Sequence, residues 1–272
     1  RKKRGTVDTV PFIFGGYMLT LSASNDKIKH IKKLSKKRER EKSGEFIIEG
    51  KRSVTDAVAN GAKISYIIFC NGGEPLFDLS IPQFSTDEKT FAEITDTSSP
   101  QDMLAVAKIV PSSVEEILSG SFDLLVLCDR VQDPGNVGTI IRTADAAGSS
   151  AVILSPGCAD LYNPKVIRST MSSVFNLPIL LGGDLPSIIP LLKKRGYRVF
   201  CGALREDSVS LFEADFRGKC AVVIGNEGSG ASDEVISLCE AVKIPMRGKA
   251  ESLNASVSAG ILMYEVLRHN SK

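Results

Sequence analysis

The sequence predicts an α/β protein: a parallel sheet with helices on both faces, preceded by a small α/β domain. Three observations predict it. Short apolar runs alternate with helical segments along most of the chain, as in strand–crossover–strand units. Runs such as FDLLVLC (122–128) and KCAVVI (219–224) are almost continuously apolar, which suits strands covered on both faces. Val110-Pro-Ser-Ser interrupts the pattern and is the best linker. The expected organisation is a smaller domain at 18–108, a linker at 109–120 and a larger domain at 121–272. A length of 272 residues accommodates two such domains.

The elements follow in order. Residues 26–42 (DKIKHIKKLSKKREREK) place Ile28, Ile31 and Leu34 at helical spacing among cations, an amphipathic basic helix. Residues 45–49 read as a strand, and 51–60 as a helix stopped by Gly61. A second strand covers 64–70, and NGGEP (71–75) is a turn. A weak strand begins at Phe84, a helix covers 87–95, and a strand covers 103–109. In the larger domain, strands are expected at 122–128, 151–154, 179–181, 198–204, 219–224 and 241–244. Helices are expected at 139–147, 163–172, 185–194, 232–238 and 256–269.

Composition narrows the class. With 43% apolar and 24% charged residues the chain is neither disordered nor collagen-like. No apolar stretch reaches 18 residues, so no spanning helix and no membrane partner are expected. Net charge is only +2, but residues 1–43 carry 13 Lys and Arg against 4 Asp and Glu, leaving the rest acidic by 7. A basic end on an acidic body points to a polyanion; a solvated tail would look the same. The six cysteines lack CxxC spacing and several sit in apolar runs, as buried reduced thiols of a cytoplasmic protein would. His30 and His269, the only histidines, have no paired ligand nearby, so no metal site is expected. RKKR before VPFIFGGYMLTL superficially resembles a signal peptide, but Gly15 and Gly16 break it. Met18 looks like a natural start, so residues 1–17 are read as an appended or unprocessed extension.

Three polar loops are expected beyond the carboxyl ends of the strands, where such sheets bind ligands. The first is DRVQDPGNVGTIIR (129–142), with a sharp turn at Pro134-Gly135, Asn136 as a helix cap and Arg142 further along. A capped turn with a surface arginine is the plain alternative. The second is IGNEGSGAS (224–232). Its glycines let backbone approach a ligand closely. Their order matches neither the dinucleotide nor the P-loop pattern, and Glu227 would repel a phosphate but suits a cationic or hydroxyl-bearing ligand. A flexible turn would also fit. The third, IPMRGKAESLNASVSAG (244–260), interleaves Ser252, Asn254, Ser256 and Ser258 with small and apolar residues before a helix. Alone, it is a capped helix start.

Together, DPGNVGTIIRTADAAG (133–148), VVIGNEGSGAS (222–232) and IPMRGKAESLNASVSAGILMYE (244–265) resemble the SpoU class of the SPOUT methyltransferases. The match runs over 121–272, and EFIIEGKRSVTDA (45–57) more loosely resembles the small substrate-binding domain of that family. The resemblance implies methylation of an RNA ribose 2′-hydroxyl with S-adenosylmethionine, a homodimer, and a C-terminal trefoil knot over about 225–260. Cofactor contacts would come from Gly225, Ile244 and Leu253, with Ala203, Met246 and Ser256. It places Arg142 beside the target ribose, with Asn136 and Glu227 orienting it and Ser252 and Asn254 holding the third loop. A guanidinium with a pKa above about 12 is a poor base, so Arg142 would bind phosphate and stabilise the developing alkoxide. Lys29, Lys32, Lys33, Lys36, Lys37 and Arg52 are the expected RNA phosphate contacts. Phe46, Tyr66 and Phe69 fit the core better than base stacking. Ribosomal RNA is the first expectation and transfer RNA the second. A non-catalytic RNA-binding protein, an unrelated doubly wound oxidoreductase and a base methylase are the rival readings.

Overall fold

The computed structural model describes residues 18–72, 80–96, 102–119 and 123–271. The expected extension at 1–17, residues 73–75 of the NGGEP turn, the last linker residue and Phe122 lie outside the described residues. The chain divides into two compact units on either side of the Ile109–Val110 bond.

The first unit contains β1 (Leu19–Thr20), α1 (Asp26–Leu34), α2 (Lys37–Ser43), β2 (Glu45–Glu49), α3 (Lys51–Ala59), β3 (Ile64–Cys70), β4 (Gln83–Thr86), α4 (Glu88–Ala92) and β5 (Met103–Lys108). Its sheet has the order β1-β4-β3-β5-β2. β5 runs antiparallel to both neighbours, and the remaining pairs are parallel. Ile28, Ile31 and Leu34 pack with Tyr66 and Phe84 in one core. Phe46, Tyr66 and Phe69 are all buried, so none is presented to a base.

The basic segment is two helices rather than one. Lys36 is extended (φ −93°, ψ 129°). Arg40, only 3% exposed, donates Nη1 to the carbonyls of Leu34 and Ser35 at 2.7 and 2.9 Å. In a continuous helix those carbonyls would take backbone N–H groups four residues on. One side chain therefore replaces two rungs and turns the chain.

The second unit begins with α5 (Val114–Ser119), where the sequence suggested only a linker. Ile117 is buried against Leu125 and Leu127, which anchors this helix to the unit. There follow β6 (Leu124–Asp129), α6 (Pro134–Ala146), β7 (Ala151–Leu154), α7 (Pro164–Ser169), a 3-10 turn (Ser173–Phe175), β8 (Ile179–Leu181), α8 (Leu185–Lys194), β9 (Arg198–Gly202), β10 (Val209–Ser210), β11 (Cys220–Gly225), α9 (Asp233–Ser237), β12 (Glu240–Lys243) and α10 (Ala255–Asn270). The seven strands form one parallel sheet, β10-β12-β9-β11-β6-β7-β8.

Side chains alternate between the faces, as the two-residue strand period requires. Leu124, Val126 and Cys128 of β6 and Val222 and Ile224 of β11 pack with α6, α7 and α10. Leu125, Leu127, Ala221 and Val223 pack with α8 and α9 on the other face. This double cover explains the unbroken apolar runs. After β8 the chain returns to the far side of β6, and β11 then inserts between β9 and β6. That reversal leaves a crevice beyond the carboxyl ends of the central strands.

All six cysteines are free. Burial pushes the thiol of Cys220 up to about 11 and that of Cys239 up to about 12, so both stay protonated at neutral pH. Among the described residues no helix is long and apolar enough to cross a membrane.

Candidate active site

The three loops meet at the end of β6 and β11. Gly225 pairs with Asp129 across these strands. Residues 226–230 then fold into a small hairpin, with Asn226 and Gly230 exchanging backbone hydrogen bonds of 3.0 and 2.9 Å. Asn226 Oδ1 accepts from Gly228 N and Ser229 N, holding the tip. The neck admits no side chain at Gly225: a Cβ there would sit 2.0 Å from Ala231 N and 2.2 Å from Gly230 C.

The second loop is tied to the first by hydrogen bonds. Buried Asp129 accepts from Ser232 N at 2.7 Å. Asn226 Nδ2 donates to Arg130 O at 2.9 Å. The Glu227 carboxylate accepts from Gln132 N (3.1 Å), Asp133 N (3.0 Å) and Asn136 Nδ2 (2.9 Å). Partial burial pushes the Glu227 carboxyl upward, but these three donors outweigh it and hold its pKa below the usual value. Glu227 is thus an anion at neutral pH.

The third loop joins through Asn136. Its Oδ1 accepts from Asn254 Nδ2 at 2.9 Å. Asn254 is the N-cap of α10, its Oδ1 accepting from Ser256 N, Ser256 Oγ and Val257 N. One orientation of both amides satisfies this chain. The carboxylate can only accept, so Asn136 presents its NH2 to Glu227 and its oxygen to Asn254. Asn254 then spends its NH2 on Asn136 and its oxygen on the helix start. Donors run in one direction from the α10 terminus to Glu227.

The helix cap differs from the sequence reading. α6 starts at Pro134, not near residue 139, and its N-cap is Asp133, which accepts from Asn136 N at 2.8 Å. Pro134 suits the first helical position, where no N–H is needed. Because Asp133 caps the helix, the Asn136 side chain is released to join Glu227 with Asn254.

A cavity of about 410 Å³ lies beside this junction, at the ends of β9, β11 and β12. Its size is that of a small-molecule site. Ala203, Gly225, Ile244, Met246 and Leu253 line it, as do Glu227 and Ser252. Ser256 does not: its N–H and Oγ are both turned to Asn254, and Ala255 and Ser258 take the wall instead. Asn136 and Asn254 are not among the lining residues; they join the wall through Glu227, to which Asn136 is bonded, and Asn254 stays exposed at the start of α10. Arg142 is exposed, lies off the cavity and has no hydrogen bond or ion pair among the described residues. Six residues at about 100° each set it on a different side of α6 from Asn136. Asp129, Asn226 and Arg205 belong to the site or its frame but carried no expectation. An acid ending the apolar run LLVLCD was the one visible signal for Asp129.

The expected RNA contacts divide into two groups. Lys29, Lys37 and Arg52 lie near Asp26, Glu41 and Asp56 on their own helices, and Lys32 reaches Glu93 at 2.6 Å. Lys33 and Lys36 are exposed and unpaired among the described residues. No group of His, Cys, Asp and Glu among the described residues is arranged to hold a metal.

Residues 123–264 match the SpoU rRNA Methylase family. This chain belongs to that family. Residues 25–105 match the MRM3-like substrate binding domain, so both units of this SpoU-family protein have counterparts. The chain is 37% identical to the 23S rRNA (guanosine(2553)-2′-O)-methyltransferase RlmP of Bacillus subtilis, over 90% of this chain and 97% of that protein. It is 30% identical to human mitochondrial rRNA methyltransferase 3, over 83% of this chain and 68% of that one. Among solved structures, the AdoMet-bound rRNA methyltransferase of Sinorhizobium meliloti superposes with a TM-score of 0.84 at 31% identity, covering 92% of this chain and 97% of that one.

Proposed function

We propose that this protein transfers a methyl group from S-adenosylmethionine to a ribose 2′-hydroxyl of ribosomal RNA. The observation that carries the proposal is the junction of the three loops. Glu227, Asn136 and Asn254 form one hydrogen-bonded chain beside a cavity lined by Gly225, Ile244 and Leu253. The names of RlmP and of the mitochondrial relative support ribosomal RNA as the substrate.

The cavity fits the cofactor chemically. Val242, Ile244, Met246 and Leu253 supply an apolar wall for a flat base, and the backbone from Gly225 to Gly230 supplies polar groups. Glu227 supplies negative charge, which suits a cation better than a phosphate. Gly225, Ile244 and Leu253 would hold the cofactor, with Ala203 and Met246. When bound, it supplies a sulfonium-activated methyl group, so the protein's task is to position a hydroxyl and to handle its proton.

Asn136 and Glu227 orient the ribose, and Ser252 with Asn254 holds the third loop. Arg142 binds the target phosphate and stabilises negative charge as it develops on the ribose oxygen. The guanidinium does not deprotonate, so Arg142 stabilises charge and is not the base that takes the hydroxyl proton. The exposed apolar residues Val257, Tyr264 and Leu267 on α10 support a homodimer whose active sites lie near the shared face. Membership of the SpoU family over residues 123–264 supports a trefoil knot threaded over about residues 225–260. The free thiols support a reducing compartment, the cytoplasm. In the first unit, Lys33 and Lys36 are the expected RNA contacts that have no carboxylate partner among the described residues, and we give them phosphates of the RNA.

Replacing Arg142 by Ala tests the scheme. The variant loses methyl transfer to ribosomal RNA while calorimetry gives cofactor affinity within about twofold of the unaltered protein. Full turnover in that variant removes Arg142 from the mechanism.

A further inference from the structure

We infer that Arg205 recognises the carboxylate of the cofactor's amino-acid end and makes the cavity selective for it. The inference rests on the cofactor reading above and concerns a residue outside the three family loops. Arg205 lies on the connection between β9 and β10 and lines the cavity.

Its backbone is fixed. Arg205 N donates to Ser208 Oγ at 3.1 Å, Ser208 N donates back to Arg205 O at 3.2 Å, and Ser208 Oγ donates to Ala203 O at 2.9 Å. Ser208 is buried, so this turn is braced from inside. Ala203 N, at the turn's other end, donates to Val242 O at 3.0 Å and ties it to β12.

The side chain is not committed in the same way. Its nearest carboxylates are Asp207 at 3.6 Å and Asp233 at 3.5 Å, and neither makes a hydrogen bond with it. A committed charge-assisted contact is nearer about 2.8 Å. Both carboxylates are also largely exposed, 77% and 99% at the side chain. Exposed pairs of this kind are weak, so they leave the five donors of the guanidinium unsaturated and free to turn to a ligand in the cavity that Arg205 lines.

The ligand's charges decide what it meets. S-adenosylmethionine carries two positive groups, the sulfonium and the ammonium, and one carboxylate. Glu227 is the anionic side chain on the cavity wall and favours the positive groups. Arg205 and Lys243 are the cationic ones. A planar guanidinium meets a carboxylate through two parallel hydrogen bonds, which a lysine cannot do. The fork is also held on a braced turn, whereas Lys243 ends a strand. Arg205 is therefore the carboxylate site.

The test compares S-adenosylmethionine with its decarboxylated analogue by calorimetry on the full chain. The unaltered protein binds the carboxylate form at least tenfold more tightly. Arg205→Ala erases that preference by weakening the carboxylate form alone, Arg205→Lys keeps part of it, and Lys243→Ala leaves it intact. The inference is overturned if Arg205→Ala keeps the full preference, if it weakens both ligands equally, or if Lys243→Ala erases the preference instead. Failure of the unaltered protein to bind either ligand would overturn the cofactor reading itself.

Discussion

Gly225→Ala is the most direct mechanical test of the loop junction. The added Cβ would lie 2.0 Å from Ala231 N, 2.2 Å from Gly230 C and 2.7 Å from Ala231 Cα. These are backbone atoms, so no side chain can rotate away. Restoring ordinary contact requires the returning strand of the hairpin to move by more than about 1 Å, and overpacking of this kind costs about 3 kcal/mol. The same movement stretches the Ser232–Asp129 bond and the Asn226–Gly230 pair. For a unit of this size the melting temperature should fall by roughly 6–12 °C. Since residues 225–231 line the cavity, cofactor affinity should fall at least tenfold, about 1.4 kcal/mol. Calorimetric titration of the full chain and a thermal melt give both numbers. Gly228→Ala is the control, because its Cβ would meet only Asn226 Oδ1, at 3.6 Å. That variant should melt like the parent. A parental melt and parental binding of Gly225→Ala, or an equal fall in melting temperature with Gly228→Ala, would refute the close-approach argument.

Three further outcomes follow from the geometry. Asn136→Ala removes one hydrogen bond to exposed Glu227 and one to Asn254 and should cost roughly 2 kcal/mol. In a double-mutant cycle with Asn254→Ala, denaturant melts should show about 1 kcal/mol of coupling, whereas additive losses would mean the two amides do not act together. Ser172 stands at φ 75° with no bonded side chain, so Ser172→Gly should stabilise the protein by about 0.5 kcal/mol in urea melts; a loss would show that the hydroxyl matters. Replacing both Lys33 and Lys36 by Ala should reduce the slope of log affinity for RNA against log salt by about 1.5. An unchanged slope would move the phosphate contacts elsewhere.

Much of the large sheet was legible because of its double cover. A strand such as Val222 to Ile224 meets helices on both sides, so every position is apolar. The edge strand Val209–Ser210 escaped notice because two half-exposed residues carry no periodicity. The helix expected to reach residue 172 stops at Ser169, since Met171 and Ser172 take left-handed conformations that the residue types do not advertise. The basic segment read as one helix because Arg40 looks like any other surface cation. Its burial and its bonds to Leu34 and Ser35 depend on tertiary packing.

The site was legible as three loops in order, but not as a network. Asn136 was taken for a cap because its type favours that role, while Asp133, three residues earlier, does the capping. Once that is known, the free amide of Asn136 has a natural partner on either side. Glu227 and Asn254 are separated from it by 91 and 118 residues, a pairing that spacing cannot reveal. Ser256 was read as a cavity residue for its place in the motif, yet the N-cap Asn254 turns it away.

Methyl transfer to a ribose oxygen of ribosomal RNA leaves a product that can be read directly. Its most direct measurement is mass spectrometry of nucleosides from ribosomal RNA incubated with the protein and S-adenosylmethionine carrying a labelled methyl group. One labelled 2′-O-methyl nucleoside is expected, absent with Arg142→Ala. Label on a base, or no label despite measured cofactor binding, would contradict the proposed transfer.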